Sequence, residues 1–339
     1  MKNKSTFTKD FGLLIIAEIG MTHNGDYDLA VELTKSAIKA GANVVKYQWH
    51  IAEEETTKNA PSPPYFKNES RFDYFKRTEF SKAQFRKLVK ICKSKNIIPC
   101  TSVFSIESVK RAKDVGFEII KVPSGEISNI PLLREVNKTN LFTILSSGMS
   151  KWSDLDLAVK QFNKKSKICI LQCTSLYPTP AEKVGLNIIS EISHRYDTFT
   201  GLSDHSLSSV TSIAAVALGA RVIEKHFTTS KKLYGPDAWF SLDPKEFNTM
   251  VKDLQFIRKT YLNPVNKNNI KAFKEMKTIF EKSIVAKNNI KKGEKLNMRN
   301  LAFKKPGNGI SAARIDEIVN KKSTKDLLKD EQIKYKFLE

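Results

Sequence analysis

Arg221-Val222-Ile223-Glu224-Lys225-His226-Phe227 and, before it, Gly201-Leu202-Ser203-Asp204-His205-Ser206 decide how the chain is read. Each belongs to a short apolar run bounded by turn-forming residues, as expected of a strand buried on both faces. Each delivers a histidine at its end. Between them, residues 208–218 carry helical spacing that stops at Gly219. Strand, helix, strand, with chemistry-bearing residues at the strand ends, is the repeat of a parallel α/β sheet.

The same unit recurs in both directions. Leu13-Leu14-Ile15-Ile16-Ala17-Glu18-Ile19-Gly20 is followed by a helical run over 28–40 and a strand over 43–48. A helix over 81–95, with Ser81 as its cap, precedes a strand over 97–102. Helices over 106–115, 131–137, 153–162, 187–194 and 244–261 then alternate with strands over 117–122, 142–146, 168–173 and 198–202. Eight such units in about 250 residues predict a closed (β/α)8 barrel. An open doubly wound sheet is the rival fold. It needs a glycine-rich dinucleotide turn after its first strand, and Gly20-Met21-Thr22-His23-Asn24-Gly25 has the wrong spacing. Residues 51–78, with Pro61, Pro63 and Pro64, read as a long irregular insertion of the kind that is more often functional than idle.

The pattern breaks at the asparagine-rich stretch 263–269. A linking helix over 270–280 follows, and then a different small module. Short strands are expected at 283–286 and 301–303, with a compact turn at Lys305-Pro306-Gly307-Asn308-Gly309-Ile310. About sixty residues make a marginal independent core, so this module is expected to dock on another surface.

Composition narrows the function. No apolar run reaches the roughly eighteen residues of a membrane span. The polar, lysine-rich start and the shortness of the first apolar run argue against a signal peptide, so a cytoplasmic protein is expected. Cys92, Cys100, Cys169 and Cys173 show no zinc-binding spacing and read as buried free thiols. The formal net charge of +21 raises the possibility of a nucleic-acid partner. The lysines are scattered, however, with no arginine-rich run and no basic stripe interleaved with aromatics, so solvated helix faces account for the charge and neither nucleic acid nor membrane is expected as a partner.

In a barrel the reactive residues gather at the carboxyl ends of the strands. There the sequence offers Glu18, Lys46 with Gln48, Thr101 with Ser102, and Lys121 with Ser124 and Glu126. It continues with Ser146 and Ser147, then Thr174, Ser175 and Tyr177, then Ser203, Asp204 and His205, and finally Glu224 and His226. Lysines and hydroxyls suit a phosphate and a carboxylate. Two histidines and a carboxylate suit a divalent metal. A Schiff-base lysine is the competing chemistry, because Lys46 and Lys121 both lie inside apolar strands. His23 reads as a loop-structuring residue, and His50 and His194 carry no functional signal.

Taken in order, Ala17-Glu18-Ile19-Gly20 with His23-Asn24-Gly25, Val45-Lys46-Tyr47-Gln48, Lys121-Val122-Pro123-Ser124-Gly125-Glu126, Ser146-Ser147-Gly148-Met149, Cys173-Thr174-Ser175-Leu176-Tyr177-Pro178, Gly201-Leu202-Ser203-Asp204-His205, Glu224-Lys225-His226-Phe227 and Gly235-Pro236-Asp237 resemble the sialic acid synthases. Ser283-Ile284-Val285-Ala286, Ile290-Lys291-Lys292-Gly293-Glu294 and Lys305-Pro306-Gly307-Asn308-Gly309 look like their antifreeze-like (SAF) domain. On this resemblance the chain divides into a barrel over 1–262, a linker over 263–278 and a SAF domain over 279–339.

The resemblance implies condensation of phosphoenolpyruvate with the open-chain aldehyde of an N-acyl-mannosamine-type sugar. The product is a nine-carbon 2-keto acid, and phosphate leaves by C–O cleavage. A divalent metal, manganese or magnesium, would polarise the aldehyde and be held by His205 and His226. Glu18, hydrogen-bonded to a water on that metal, and Glu126, which handles a proton at the aldehyde, would be catalytic. Lys46, Ser102, Lys121, Ser124, Ser146, Ser175 and Ser203 would hold phosphoenolpyruvate, and Gln48, Tyr177, Asp237 and Lys305 the sugar. Lys305 stands where some members offer an arginine to the N-acyl group, and lysine has no planar fork. Ser175 replaces an asparagine of some neuraminate-forming members and matches legionaminate- and pseudaminate-forming relatives. Gly235-Pro236-Asp237 leans toward a neuraminate- or legionaminate-like sugar. Members of the family are domain-swapped homodimers in which the small domain of one subunit covers the barrel mouth of the other.

Overall fold

The structure is a computed structural model that describes residues 12–62, 69–163 and 168–339. The chain divides at Asn263/Pro264 into two compact units. The first holds a closed barrel of eight parallel strands in sequence order. They are β1 (Leu14–Gly20), β2 (Val44–Trp49), β3 (Ile98–Val103), β4 (Ile119–Val122), β5 (Phe142–Ser146), β6 (Ile168–Cys173), β7 (Phe199–Asp204) and β8 (Val222–His226). β8 closes on β1, with Leu14 beside Val222 and Glu18 beside His226. The expected barrel is therefore the observed one, and the strand bounds differ from the sequence reading by only one or two residues.

Side-chain alternation along these strands builds two cores. Ile15, Ala17 and Ile19 point outward and pack with the helices. Leu14, Ile16, Val44, Cys100, Ile119, Ile144, Cys169, Leu171 and Val222 point inward and fill the barrel. Because the period along a strand is two, the next inward residue on each strand is set as well. Those residues are Glu18, Lys46, Ser102, Lys121, Ser146, Cys173, Ser203 and Glu224, and all line a cavity at the carboxyl end. An apolar plug below and a polar layer above thus come from one periodicity.

Within 51–78 the structure differs from the sequence expectation. Two helices, Ala52–Glu55 and Arg71–Thr78, stand where an irregular segment was expected. The second had a readable signal, since the Ser70 side chain accepts from the Asp73 backbone N–H as an N-cap. Pro63 and Pro64 lie outside the described residues.

The second unit pairs strand β9 (Ser283–Ala286) antiparallel with β10 (Leu301–Lys304). Ile284, Ile290, Leu296, Leu301, Ile318, Leu327 and Ile333 give it a core of its own. The linking segment contains the helix Lys274–Phe280.

Gly201 faces the barrel interior where β7, β6 and β8 crowd together. A Cβ there would stand 2.1 Å from the Val222 carbonyl oxygen and 2.6 Å from Leu171 Cδ2. Backbone cannot swing aside as a side chain can, so Gly201→Ala is expected to destabilise the fold by about 1–3 kcal/mol, toward the upper end. Urea unfolding measures this, and an unchanged midpoint would mean that the strands spread freely.

Candidate active site

The polar layer of the barrel surrounds a cavity of about 540 Å³, well inside the roughly 300–1,000 Å³ typical of small-molecule sites. Its floor is a network of four buried charges. Lys46 Nζ lies 2.8 Å from Glu18 Oε2 and 3.5 Å from Glu224 Oε2, and it donates to Ser102 Oγ at 3.0 Å. Lys121 Nζ donates to both Glu224 oxygens at 2.8 Å. Ser203 Oγ donates to Glu224 Oε1 at 2.9 Å. Strand register makes this possible, because Glu18 lies beside Lys46, Ser102 beside Lys121 and Ser203 beside Glu224.

The electrostatics follow from burial and pairing. Desolvation would push every carboxyl here up. Lys121 and Lys46 overcome it at Glu224, which is held far below the usual carboxylate range. At Glu18 burial prevails over Lys46, and the neighbouring Glu224 charge adds to it, so the carboxyl is raised. Burial alone would lower Lys46, but Glu18 and Glu224 raise it above an ordinary lysine. A Lys46 held charged by two carboxylates suits an anion better than a Schiff base, which needs a neutral amine.

Around this floor stand hydroxyls and two histidines. Ser124, Ser146 and Ser175 line the cavity. A Cβ on Gly148 would lie 2.5 Å from Ser175 Oγ and 2.6 Å from Ser124 Oγ, so the glycine keeps a small cradle open between them. His205 Nδ1 lies 3.0 Å from the Thr174 carbonyl, which fixes its proton there and leaves Nε2 with a lone pair. The His226 ring lies 5.6 Å from that of His205, centroid to centroid. His226 Nδ1 is buried without a hydrogen-bond partner among the described residues. Burial first, and then His205 and Lys46, hold His226 well below an ordinary histidine, so it is a neutral imidazole.

Burial would lower His205, but Cys173 and the Thr174 carbonyl outweigh it and raise His205 above an ordinary histidine. The two imidazoles would fit a divalent ion, which would displace any proton that His205 holds on Nε2. Among the described residues no three His, Cys, Asp or Glu side chains converge to hold one unaided. Such an ion would therefore draw further ligands from water and substrate, as in an open catalytic site.

Gln48, Glu126, Tyr177 and Asp237 line the outer cavity. Burial raises the Glu126 carboxyl, opposed by a hydrogen bond from Asn129. Asp237 Oδ2 accepts from the Met21 backbone N–H at 2.9 Å. Lys305 belongs to the second unit, where its ammonium stands 4.8 Å over the Phe280 ring.

The sequence profile of the NeuB family matches residues 33–267, and that of the SAF domain matches 281–339. The chain belongs to the NeuB family. Its members are the sialic acid synthases, and the chain is an enzyme of that family. It is 37% identical over 330 residues to the N,N'-diacetyllegionaminic acid synthase of Campylobacter jejuni, covering 95% of this chain and 98% of that one. It is 32% identical to the human N-acetylneuraminate-9-phosphate synthase, covering 86% and 82%. The crystal structure of an N-acetylneuraminic acid synthetase from Leptospira borgpetersenii, in complex with citrate, superimposes with a TM-score of 0.69 at 32% identity, covering 78% of this chain and 90% of that one.

Sequence reasoning missed several parts of this NeuB-family site. Glu224 was visible only as a polar residue at a strand end, yet it organises both lysines. Cys173 lines the cavity, with Sγ 3.5 Å from Ser124 Oγ. Arg71, Tyr74 and Phe75 reach the cavity from the unforeseen helix. Asp204 is not in the cavity. It points outward and pairs with Lys225 at 3.1 Å, while Lys225 also donates to the Ser208 carbonyl at 3.0 Å. Asp204 accepts from Ser212 Oγ at 2.6 Å and from the Ser206 backbone N–H at 2.9 Å. This buried strut holds the turn that carries His205.

Lys225→Met leaves Asp204 buried and unpaired, and is expected to cost about 3–5 kcal/mol. The double variant with Asp204→Asn keeps an acceptor for the Ser206 N–H and removes the charge, while the Ser212 hydroxyl can accept from the new NH2, so it should be more stable than Lys225→Met alone. Equal unfolding midpoints for the two in urea would contradict the pairing.

Proposed function

We propose that the chain condenses phosphoenolpyruvate with an N-acylated amino sugar, giving a nine-carbon 2-keto acid and phosphate. The observation that carries this reading is the pair of buried lysines, Lys46 and Lys121, set among hydroxyls beside two histidines. The lysine–hydroxyl floor suits the carboxylate and phosphate of phosphoenolpyruvate, with Ser102, Ser124, Ser146 and Ser175 as donors and Ser203 joining them when its hydroxyl turns from Glu224 to the substrate. Its carboxylate partners keep the lysines charged and aimed before substrate arrives.

As C3 of phosphoenolpyruvate attacks the aldehyde carbon, the aldehyde oxygen needs a proton. Glu126, raised by burial, supplies it. Water then adds at C2, and Glu18, also raised, takes the proton that this water loses. Collapse of the resulting phosphate hemiketal breaks the C2–O bond and releases phosphate, leaving the keto group. A divalent manganese or magnesium ion held by His205 and His226 would polarise the aldehyde and orient water. Gln48, Tyr177 and Asp237, which line the outer cavity, would contact the sugar.

For the sugar, an N-acyl-mannosamine type is the base reading. A legionaminate-type diacetamido sugar is favoured by two observations, the similarity to the Campylobacter synthase and the walls of the cavity mouth. Phe75, Phe104, Met149, Trp239 and Phe240 line that mouth, with Arg71 the one lysine or arginine among the described lining residues besides the two floor lysines. Such walls suit acyl and methyl groups better than a sugar phosphate.

The family's domain-swapped homodimer is adopted as part of this reading, with Lys305 of one subunit serving the sugar site of the other. Exposure of Phe273, Met276, Ile279 and Phe280 on the linking segment supports burial against a second copy. Light scattering should give twice the chain mass, and a monomeric mass would reject this part of the proposal.

Phosphate release from phosphoenolpyruvate is expected with N-acetylmannosamine or, more strongly, with a 2,4-diacetamido sugar, and only weakly with a 6-phosphate. Chelator should abolish it, and added Mn2+ or Mg2+ should restore it. His226→Ala should keep its melting temperature and lose turnover at least about a thousandfold, since the aldehyde loses its polarising ion. Wild-type turnover in that variant would reject the ligand assignment.

A further inference from the structure

His50 showed no functional signal in the sequence, but in the structure it is buried at the edge of the cavity. Its ring is held between Phe75 and Phe104, with centroids 3.9 Å and 4.1 Å away and interplanar angles of 10° and 19°. One ring nitrogen, Nδ1, lies 2.7 Å from Glu55 Oε1. The other, Nε2, lies 2.9 Å from Gln48 Oε1. The Gln48 amide then donates from its own Nε2 to Glu18 Oε1 at 2.7 Å. Glu55 is itself tied down, since its Oε2 accepts from the Ile51 backbone N–H at 3.4 Å.

These contacts form a directional chain. An amide has one acceptor end and one donor end. With the NH2 of Gln48 on Glu18, its oxygen must face His50, and His50 must present an N–H to it. Were the amide turned round, its oxygen would meet the Glu18 carboxylate, acceptor against acceptor, in a buried place where an unmade hydrogen bond is expensive. If ring packing were the only requirement, a phenylalanine would fill the slot between Phe75 and Phe104. The two polar edges of His50 call for a different reason.

We propose that His50, braced by Glu55, is a positioning residue of the reaction. It fixes the Gln48 amide so that its NH2 stays on Glu18 and its side chain stays presented to the sugar. His50 touches neither substrate in this account and acts only through Gln48. The inference rests on the synthase reading above.

The test is a double-mutant cycle on the full-length enzyme, read by phosphate release with whichever of N-acetylmannosamine and the 2,4-diacetamido sugar turns over faster. His50→Phe keeps the ring stack and removes both hydrogen bonds. It is expected to lower kcat/KM for the sugar about tenfold, the scale of one hydrogen bond to a charged group. The KM for phosphoenolpyruvate should stay within about twofold, because Lys46 and Lys121 keep their own partners. In a Gln48→Ala background the same substitution should cost less than about twofold. Losses that multiply in the double variant, or full activity in His50→Phe, would overturn the proposal.

Should His50→Phe fail to fold, Glu55→Gln runs the same cycle. It keeps an acceptor for His50 without the charge, and it should show a smaller loss that again vanishes without Gln48. A wild-type enzyme that releases phosphate with none of these sugars overturns the synthase reading, and this inference with it. Turnover with a multiplicative cycle overturns only the role of His50.

Discussion

Two ammonium groups and two carboxylates buried inside a closed barrel are tolerable only if they find one another. Lys46 and Lys121 lie on β2 and β4, and Glu18 and Glu224 on β1 and β8. Only closure of β8 onto β1 brings the two ends of this set together. A buried charge left alone would cost several kcal/mol. The barrel, its register and the polar floor are therefore one arrangement. A slip of one residue on β1 or β8 would turn Glu18 or Glu224 outward and strand a lysine.

That arrangement also sets what the cavity can accept. The floor is electrically balanced before any ligand arrives, with Glu224 the more firmly ionised of the two carboxylates. An anionic ligand has to share the lysines with their resident partners, so hydroxyls that add hydrogen bonds without adding charge are the natural complement. The serines at the ends of β3 to β7 supply them. Outside the floor the character changes. His205 is fixed by a backbone carbonyl and His226 is kept neutral by burial, while the mouth is mostly aromatic and thioether surface. One barrel end thus presents charged lysines among hydroxyls, an imidazole pair and an apolar collar in successive layers.

Much of this was legible from residue order. Leu14, Ile16 and Glu18 share one face because a strand has a period of two, and Glu18 could be placed at the mouth from that alone. The sialic acid synthase motifs, strung in order from Ala17 to Gly309, pointed to the family to which the chain belongs. Other features resisted the same reading. The segment from Ile51 to Thr78 looked irregular because Ala52, Tyr74 and Phe75 pack in a local cluster with Met21 and not in the main core. Its only helix signal was the single Ser70 cap.

By itself the sequence determined the alternation of strands and helices, the inward set of each strand, and the identity of the charged and hydroxyl groups at the strand ends. These follow from periodicities and residue types, which are local properties. Tertiary structure alone decided who meets whom. Glu224 reaches Lys121 across the barrel, Asp204 turns outward to Lys225 although its neighbours Ser203 and His205 face the cavity, and His50 grips Gln48 between two phenylalanines. The physical reason is that pairing and desolvation depend on distances across the fold, and residues far apart in sequence are brought to those distances only when the barrel closes.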